Sequence, residues 1–270
     1  MVIEFEPLTA AVGATVHGVD MANVSDIDID AIRKGWMDHK VLFFRDQPIT
    51  IEEHIAFGAR FGELEVHPFA NSREGYPEIV RIESNAERQY AADNWHSDVT
   101  WRKEPSLGSV LRAVVVPPAG GDTCFANTAK AYDNLSEEWK GRIDGMVAVH
   151  DFSYVFGRGL TPEKLKEQQA KYPPAHHPVV RTHPETGEKN IYTNRGFVSH
   201  IEGMSREESM LIVGHLERAV MDPSVQCRFK WDANSFAMWD NRAVQHCATN
   251  DFWPETRIVE RVTIVGDKPY

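Results

Sequence analysis

The sequence predicts a mostly β chain with flanking helices, folded as a double-stranded β-helix (jelly roll). Short apolar runs at Glu78 to Glu83, Leu107 to Val116, Thr123 to Ala126 and Val147 to Phe152 are separated by Gly, Pro, Asn and Asp. That spacing fits an antiparallel sandwich or barrel rather than alternating βαβ units. Helical patterns interrupt the strands without alternating with them, and no repeat, low-complexity run or linker divides the chain. Residues 1–270 therefore read as one domain.

Taken in order, Ile3 to Leu8 and Ala14 to Val19 cluster apolar residues between turn formers and read as two opening strands. A helix is expected over Ile29 to Lys40. Val41-Leu-Phe-Phe-Arg45 is a short buried strand by its apolar run, closed by Asp46-Gln-Pro. Thr50-Ile-Glu-Glu53 has the spacing of a capping box, and with Ile55, Phe57 and Phe61 beyond it a helix should run to about Gly62. Further helices fall at Ser136 to Ile143, Pro162 to Ala170 and Ser205 to Met221. In the last, Ser205-Arg-Glu-Glu208 is a second capping box, and Met210, Leu211, Val213, Leu216, Ala219 and Val220 bias one face. Strands return at Val225 to Trp231, Ser235 to Trp239 and Arg257 to Val265. Between Ala170 and Pro184, the prolines at 173, 174, 178 and 184 and the histidines at 176, 177 and 183 read as a rigid surface excursion rather than a metal site. His200 and His215 read as helical or helix-adjacent.

A chain of this length can bury roughly three quarters of its unfolded surface. With 42% hydrophobic and 26% charged residues it is neither disordered nor fibrous. A net charge of −11 and a pI near 5.5 argue against broad attraction to nucleic acid or anionic membrane, so an anionic ligand needs dedicated arginines. The opening Met-Val-Ile-Glu-Phe-Glu-Pro lacks the basic and apolar parts of a signal peptide, and no apolar segment approaches the roughly 20 residues of a membrane span. A cytoplasmic location is expected. Cys124, Cys227 and Cys247 form no CxxC pair and read as free thiols. Cys247 follows His246 but faces the other way on a strand.

The chemistry centres on Asn94-Trp-His-Ser-Asp98. In an extended segment His96 and Asp98, two apart, leave on the same face, so an imidazole and a carboxylate converge. Taken alone the pair reads first as a solvated strand edge, because 12 histidines and 40 acidic residues give chance matches of this spacing. Trp239-Asp-Asn-Arg-Ala-Val-Gln-His246 adds a histidine just beyond a buried-looking strand. With it the set becomes a 2-His-1-carboxylate facial triad, which leaves three positions of an octahedral iron open. Arg257 and Arg261 then stand on one face of an apolar strand, where buried guanidiniums require anions. The competing arrangement pairs them at the surface with Glu255 and Glu260.

These residues carry a resemblance. Asn94-Trp-His-Ser-Asp-Val-Thr100, Gly120-Gly-Asp-Thr123, His177-Pro-Val-Val-Arg-Thr-His-Pro184, Trp239-Asp-Asn-Arg242 with His246, and Arg257 followed by Arg261 resemble the taurine dioxygenase family of Fe(II)- and 2-oxoglutarate-dependent dioxygenases (the taurine/2,4-dichlorophenoxyacetate type). The resemblance spans nearly the whole chain. It implies that His96, Asp98 and His246 ligate iron, and that Thr123 and Arg257 hold the distal carboxylate of 2-oxoglutarate. It also implies that Arg261, His67 and the backbone amide of Val99 hold the substrate's anionic group, with Phe156 covering the substrate. The implied reaction consumes oxygen, decarboxylates 2-oxoglutarate to succinate and hydroxylates a C–H bond. Next to a sulfonate this gives an adduct that releases sulfite and an aldehyde. A dimer or tetramer is also implied.

The family's taurine members surround the substrate ammonium with a tyrosine and an asparagine, whose positions here fall on Ala70 and Ala92, and Val155 replaces a serine. A roomier, less polar pocket suits an apolar tail, so the expected substrate is a small organic sulfonate, sulfate or carboxylate. A taurine-like alkylsulfonate leads, with alkyl sulfates and aryloxyalkanoates as alternatives. Two rivals from other classes are a non-catalytic jelly-roll binding protein and a zinc hydrolase. Oxygen-dependent consumption of 2-oxoglutarate separates both from a dioxygenase.

Overall fold

In this computed structural model, residues 2–89 and 93–270 are described. The larger sheet orders eight strands as Glu4–Pro7, Ala14–His17, Val41–Phe44, Phe236–Asp240, Gly108–Val115, Arg257–Ile264, Tyr76–Ser84 and Ser72–Arg73. Its pairs are antiparallel except that of Ala14–His17 with Val41–Phe44. The facing layer is discontinuous. Gln226–Phe229, Thr123–Asn127 and Val244–Ala248 make one three-stranded sheet, and Val198–Ile201, Val147–His150 and Ala175–Pro178 make another. This is a jelly roll whose sheets do not close into a barrel.

The central strands are buried along most of their length because both of their faces are covered. Phe44, Val110, Met238 and Val262 enter one core with Trp36 and Phe57 of the helices Asp26–His39 and Ile51–Ala59. Their neighbours Phe43, Leu111, Ala237 and Val259 enter a second core with Phe125 and Phe229 of the facing layer. The strand alternation thus fixes which side chains reach the interior between the sheets. In Arg257–Ile264 it sends Arg257, Val259 and Arg261 there, while Glu260 lies on the other face and pairs with Arg73 and Arg81. Glu255 is exposed. The surface pairing of the two arginines does not occur.

The expected helices form with small boundary shifts. Ser25 caps Asp26–His39 through a box with Asp28, and Thr50 with Glu53 and Ser205 with Glu208 cap theirs in the same manner. The helix toward Gly62 ends at Ala59, and a short helix at Thr128–Asp133 follows a strand without a helical signal long enough to read. One expectation fails. The 170–184 segment is not a surface excursion: its residues form Ala175–Pro178 and Val180–Thr182, with His177, Arg181 and His183 buried and only His176 outward. Pro178 takes the last position of its strand, opposite Val147, so the missing N–H costs little there. His200 is in the strand Val198–Ile201, which packs against the helix Arg206–Val220; His215 is helical and stacks on Trp139 at 3.6 Å between ring centroids.

Candidate active site

The site opens from the interior face of the larger sheet. His96 is joined to His246 by an isolated antiparallel bridge in which the two residues exchange both backbone hydrogen bonds, at 3.1 and 2.8 Å. Such a pair sets both imidazoles side by side, and their ring centroids are 4.3 Å apart. The extended geometry lasts only that far, for a turn begins at Asp98. One ligand atom from each of His96, Asp98 and His246 lies within 4.8 Å of the others, the one such group among the described residues.

Protonation follows from the partners. The Asn94 carbonyl, 2.7 Å from His96 Nδ1, can only accept, so Nδ1 donates to it and Nε2 is the nitrogen turned toward the group. Nε2 lies 3.9 Å from Asp98 Oδ1. Burial opposes ionisation of Asp98, but Arg261 and the two imidazoles outweigh it and hold the carboxyl well below the usual range. Arg261 Nη1 donates to Asp98 Oδ2 at 2.8 Å. Burial, then the neighbouring His96, pulls His246 down to about 3, so its imidazole is neutral. His246 Nδ1 is buried without a hydrogen-bond partner among the described residues. Two imidazoles and a carboxylate in one place fit iron(II).

A cavity of about 180 Å³ opens over this group, well beyond the roughly 10–15 Å³ that one water occupies. His67, Ala70, Val99, Thr123, Val155, Phe156, Arg257 and Arg261 all line it. Every sequence-predicted site residue is therefore brought together; Ala92 lies outside the described residues. His67 Nδ1 accepts from the amides of Phe69 and Ala70 at 3.1 and 2.9 Å, which puts its proton on Nε2 as a donor. Burial first, then Arg261 and Arg102, lowers His67 to about 3. Thr123 Oγ1 accepts from Trp231 Nε1 at 3.0 Å, leaving its own O–H to donate.

Arg257 differs from Arg261. It donates to the Gly121 carbonyl at 3.1 Å, yet no carboxylate among the described residues is within ion-pair reach. Burial lowers it to about 10, with Asp122 opposing. A buried guanidinium without a carboxylate is costly unless a ligand supplies one. The two arginines are four residues apart, about 13 Å at strand rise, so they serve separate anions on one wall.

Sequence reading missed the scaffold behind the ligands. Val99 has φ of 47°, a left-handed conformation that for a β-branched residue costs about 1–3 kcal/mol. On one side of it, Asn241 Oδ1 accepts from the Asp98 amide at 2.6 Å while its Nδ2 donates to the Asp98 carbonyl at 2.9 Å. On the other, Thr100 Oγ1 accepts from Asn194 Nδ2 at 3.1 Å and is 2.9 Å from His150 Nδ1. Asn241 and Thr100 had a signal, their places in Trp239-Asp-Asn-Arg242 and Asn94-Trp-His-Ser-Asp-Val-Thr100, while Asn194 and His150 had none.

Known proteins support the same reading. Residues 4–263 match the family described as "Taurine catabolism dioxygenase TauD, TfdA family". An alkylsulfatase of Acinetobacter baylyi is 33% identical, the match covering 98% of this chain and 86% of the relative. An alpha-ketoglutarate-dependent sulfate ester dioxygenase of Pseudomonas putida is 33% identical over 99% and 91%. The crystal structure of a putative alpha-ketoglutarate-dependent taurine dioxygenase from Burkholderia xenovorans superposes with a TM-score of 0.86 at 38% identity, covering 99% of this chain and 94% of that one. This chain belongs to the TauD/TfdA dioxygenase family.

Proposed function

We propose that this enzyme hydroxylates a carbon next to the anionic group of a small sulfonate or sulfate ester that has an apolar body. As a member of its family it is a 2-oxoglutarate-dependent non-heme iron dioxygenase, with Fe(II) as cofactor and 2-oxoglutarate and oxygen as cosubstrates. When bound, the iron and the keto acid supply oxidative decarboxylation to succinate and the transfer of one oxygen atom into a C–H bond.

The chain's own residues bind, orient and exclude water. His96, Asp98 and His246 hold the metal. Thr123 and Arg257 take the distal carboxylate of 2-oxoglutarate, where the hydroxyl and a guanidinium otherwise short of an anion give charge-assisted bonds. Arg261, His67 Nε2–H and the Val99 amide take the substrate's anion. A guanidinium has five donors, so Arg261 can hold Asp98 and an anion together. Phe156 and the apolar wall cover the carbon to be oxidised.

The observation that carries this reading is the pair of buried arginines on one wall of the cavity that holds the His–Asp–His group. An apolar body suits Ala70, Val80, Ile82, Leu111, Val155 and Phe197, which form much of the remaining wall, with Ser84, Asn94, Thr249 and Asn250 as its polar part. Succinate formation is compared with taurine, hexanesulfonate, hexyl sulfate and an aryloxyacetate. A hexyl substrate should be turned over fastest, and taurine outpacing all the others would defeat the assignment.

A further inference from the structure

Residues 96–100 belong to no regular strand or helix beyond a single bridge, yet they carry two ligand positions and the Val99 amide. They are stitched to distant parts of the chain. Ser97 Oγ donates to the Val244 carbonyl at 2.8 Å, and Asn241 grips both backbone groups of Asp98. Asn241 Nδ2 is also within 3.1 Å of the Ser106 carbonyl and hydroxyl, which fixes the amide's orientation. Asn194, whose Oδ1 accepts from the Phe197 amide at 2.8 Å, and His150 meet at Thr100 Oγ1. The side chains of Ser97, Thr100, His150, Asn194 and Asn241 are all buried.

A plain structural role would satisfy these buried polar groups anywhere. Here they bracket Val99, whose left-handed backbone is unfavourable for valine and persists only where its surroundings dictate it. The Val99 carbonyl accepts from the Arg102 amide at 3.0 Å, whereas the Val99 amide has no partner among the described residues. Clamps on both sides thus hold a strained turn that leaves one N–H unused at a residue lining the cavity.

We propose that Asn241 and the Asn194–Thr100–His150 trio are positioning residues. They lock the Val99 turn so that the Asp98 carboxylate and the Val99 amide keep one fixed relation. This rests on the reading above, in which that amide holds the substrate's anion. Asn241 acts mainly on the metal side and the Thr100 trio mainly on the substrate side.

Three variants test this: Thr100→Val, which keeps the shape and removes the hydroxyl, Thr100→Ser, which restores it, and Asn241→Ala. Thr100→Val should raise the KM for the fastest of the substrates above roughly tenfold, and 2-oxoglutarate consumed per substrate oxidised should rise, while the KM for 2-oxoglutarate moves less than about twofold. Thr100→Ser should return to within about threefold of the parent. Asn241→Ala should weaken Mn(II) binding, followed by electron paramagnetic resonance without organic substrate, by about 10–100-fold. Parental KM and coupling in Thr100→Val, a Thr100→Ser protein as impaired as Thr100→Val, or parental Mn(II) affinity in Asn241→Ala would each overturn the proposal. If Asn241→Ala fails to fold, the two Thr100 variants decide alone. A wild-type protein that consumes no 2-oxoglutarate with any of these anions refutes the functional reading instead, and the Mn(II) titration still judges Asn241.

Discussion

At the scale of single residues, the site combines groups that are costly without ligands. Arg257 is the clearest case, a buried guanidinium whose nearest polar partner is a carbonyl. Arg257→Met should raise the KM for 2-oxoglutarate by roughly 10–100-fold, the worth of a charge-assisted contact. It should also raise the melting temperature of the cosubstrate-free protein, because a buried unpaired charge is removed. A lowered melting temperature with an unchanged KM would contradict this. His96→Ala should abolish coupled turnover with the fold intact by circular dichroism. Asp98→Ala should lose turnover too, but it also removes the carboxylate to which Arg261 donates, so stability should fall by about 3–5 kcal/mol in urea unfolding. That His96, Asp98 and His246 come together was readable because spacing and motif sit in the sequence itself. The Asn241 clamp was not, since it joins residues 143 positions apart and no local pattern encodes such a pairing.

At the scale of elements, alternation explains what could be read. Period two in the strand Arg257–Ile264 correctly put both arginines on one face, and the capping boxes at Thr50 and Ser205 located two helices to within a few residues. It failed in residues 170–184, where prolines masked two short strands and the buried His177 and His183 answer to distant partners, the Arg102 carbonyl and Asp240. Buried neutral histidines give these elements a shared pH response. His54, in the helix Ile51–Ala59, is 3.0 Å from the Val110 carbonyl through Nε2, and burial lowers it from 6.5 to about 4. Its folded pKa is depressed, so the stability linked to it is complete above about pH 6.5 and is lost as pH falls toward 4, on the order of 3 kcal/mol for this residue. His177, lowered to about 4 by burial, acts in the same direction. Urea unfolding of metal-free protein from pH 7 to 4.5 should show the decline, and His54→Gln should flatten part of it. A flat profile in the parent would contradict the assignment.

At the scale of the molecule, the jelly roll was legible from short strands and turn spacing, but the split of its second layer into two three-stranded sheets was not, because pairing partners lie far apart in sequence. Among the described residues no helix is long and apolar enough to cross a membrane. The layered fold buries both arginines despite an overall charge of −11, so the proposed anion binding would be a property of one wall and not of the whole surface. Raising ionic strength from about 0.05 to 0.5 M should therefore change the KM for hexyl sulfate less than about threefold, since buried charges are poorly screened. A steep rise would instead place the anion at an exposed site.

The most direct measurement is the stoichiometry of a single reaction. With Fe(II), 2-oxoglutarate and hexyl sulfate in an oxygen electrode, each sulfate released should accompany one oxygen and one 2-oxoglutarate consumed and one succinate formed. Sulfate released at the same rate in the absence of oxygen or 2-oxoglutarate would make the protein a hydrolase and contradict the oxidative assignment.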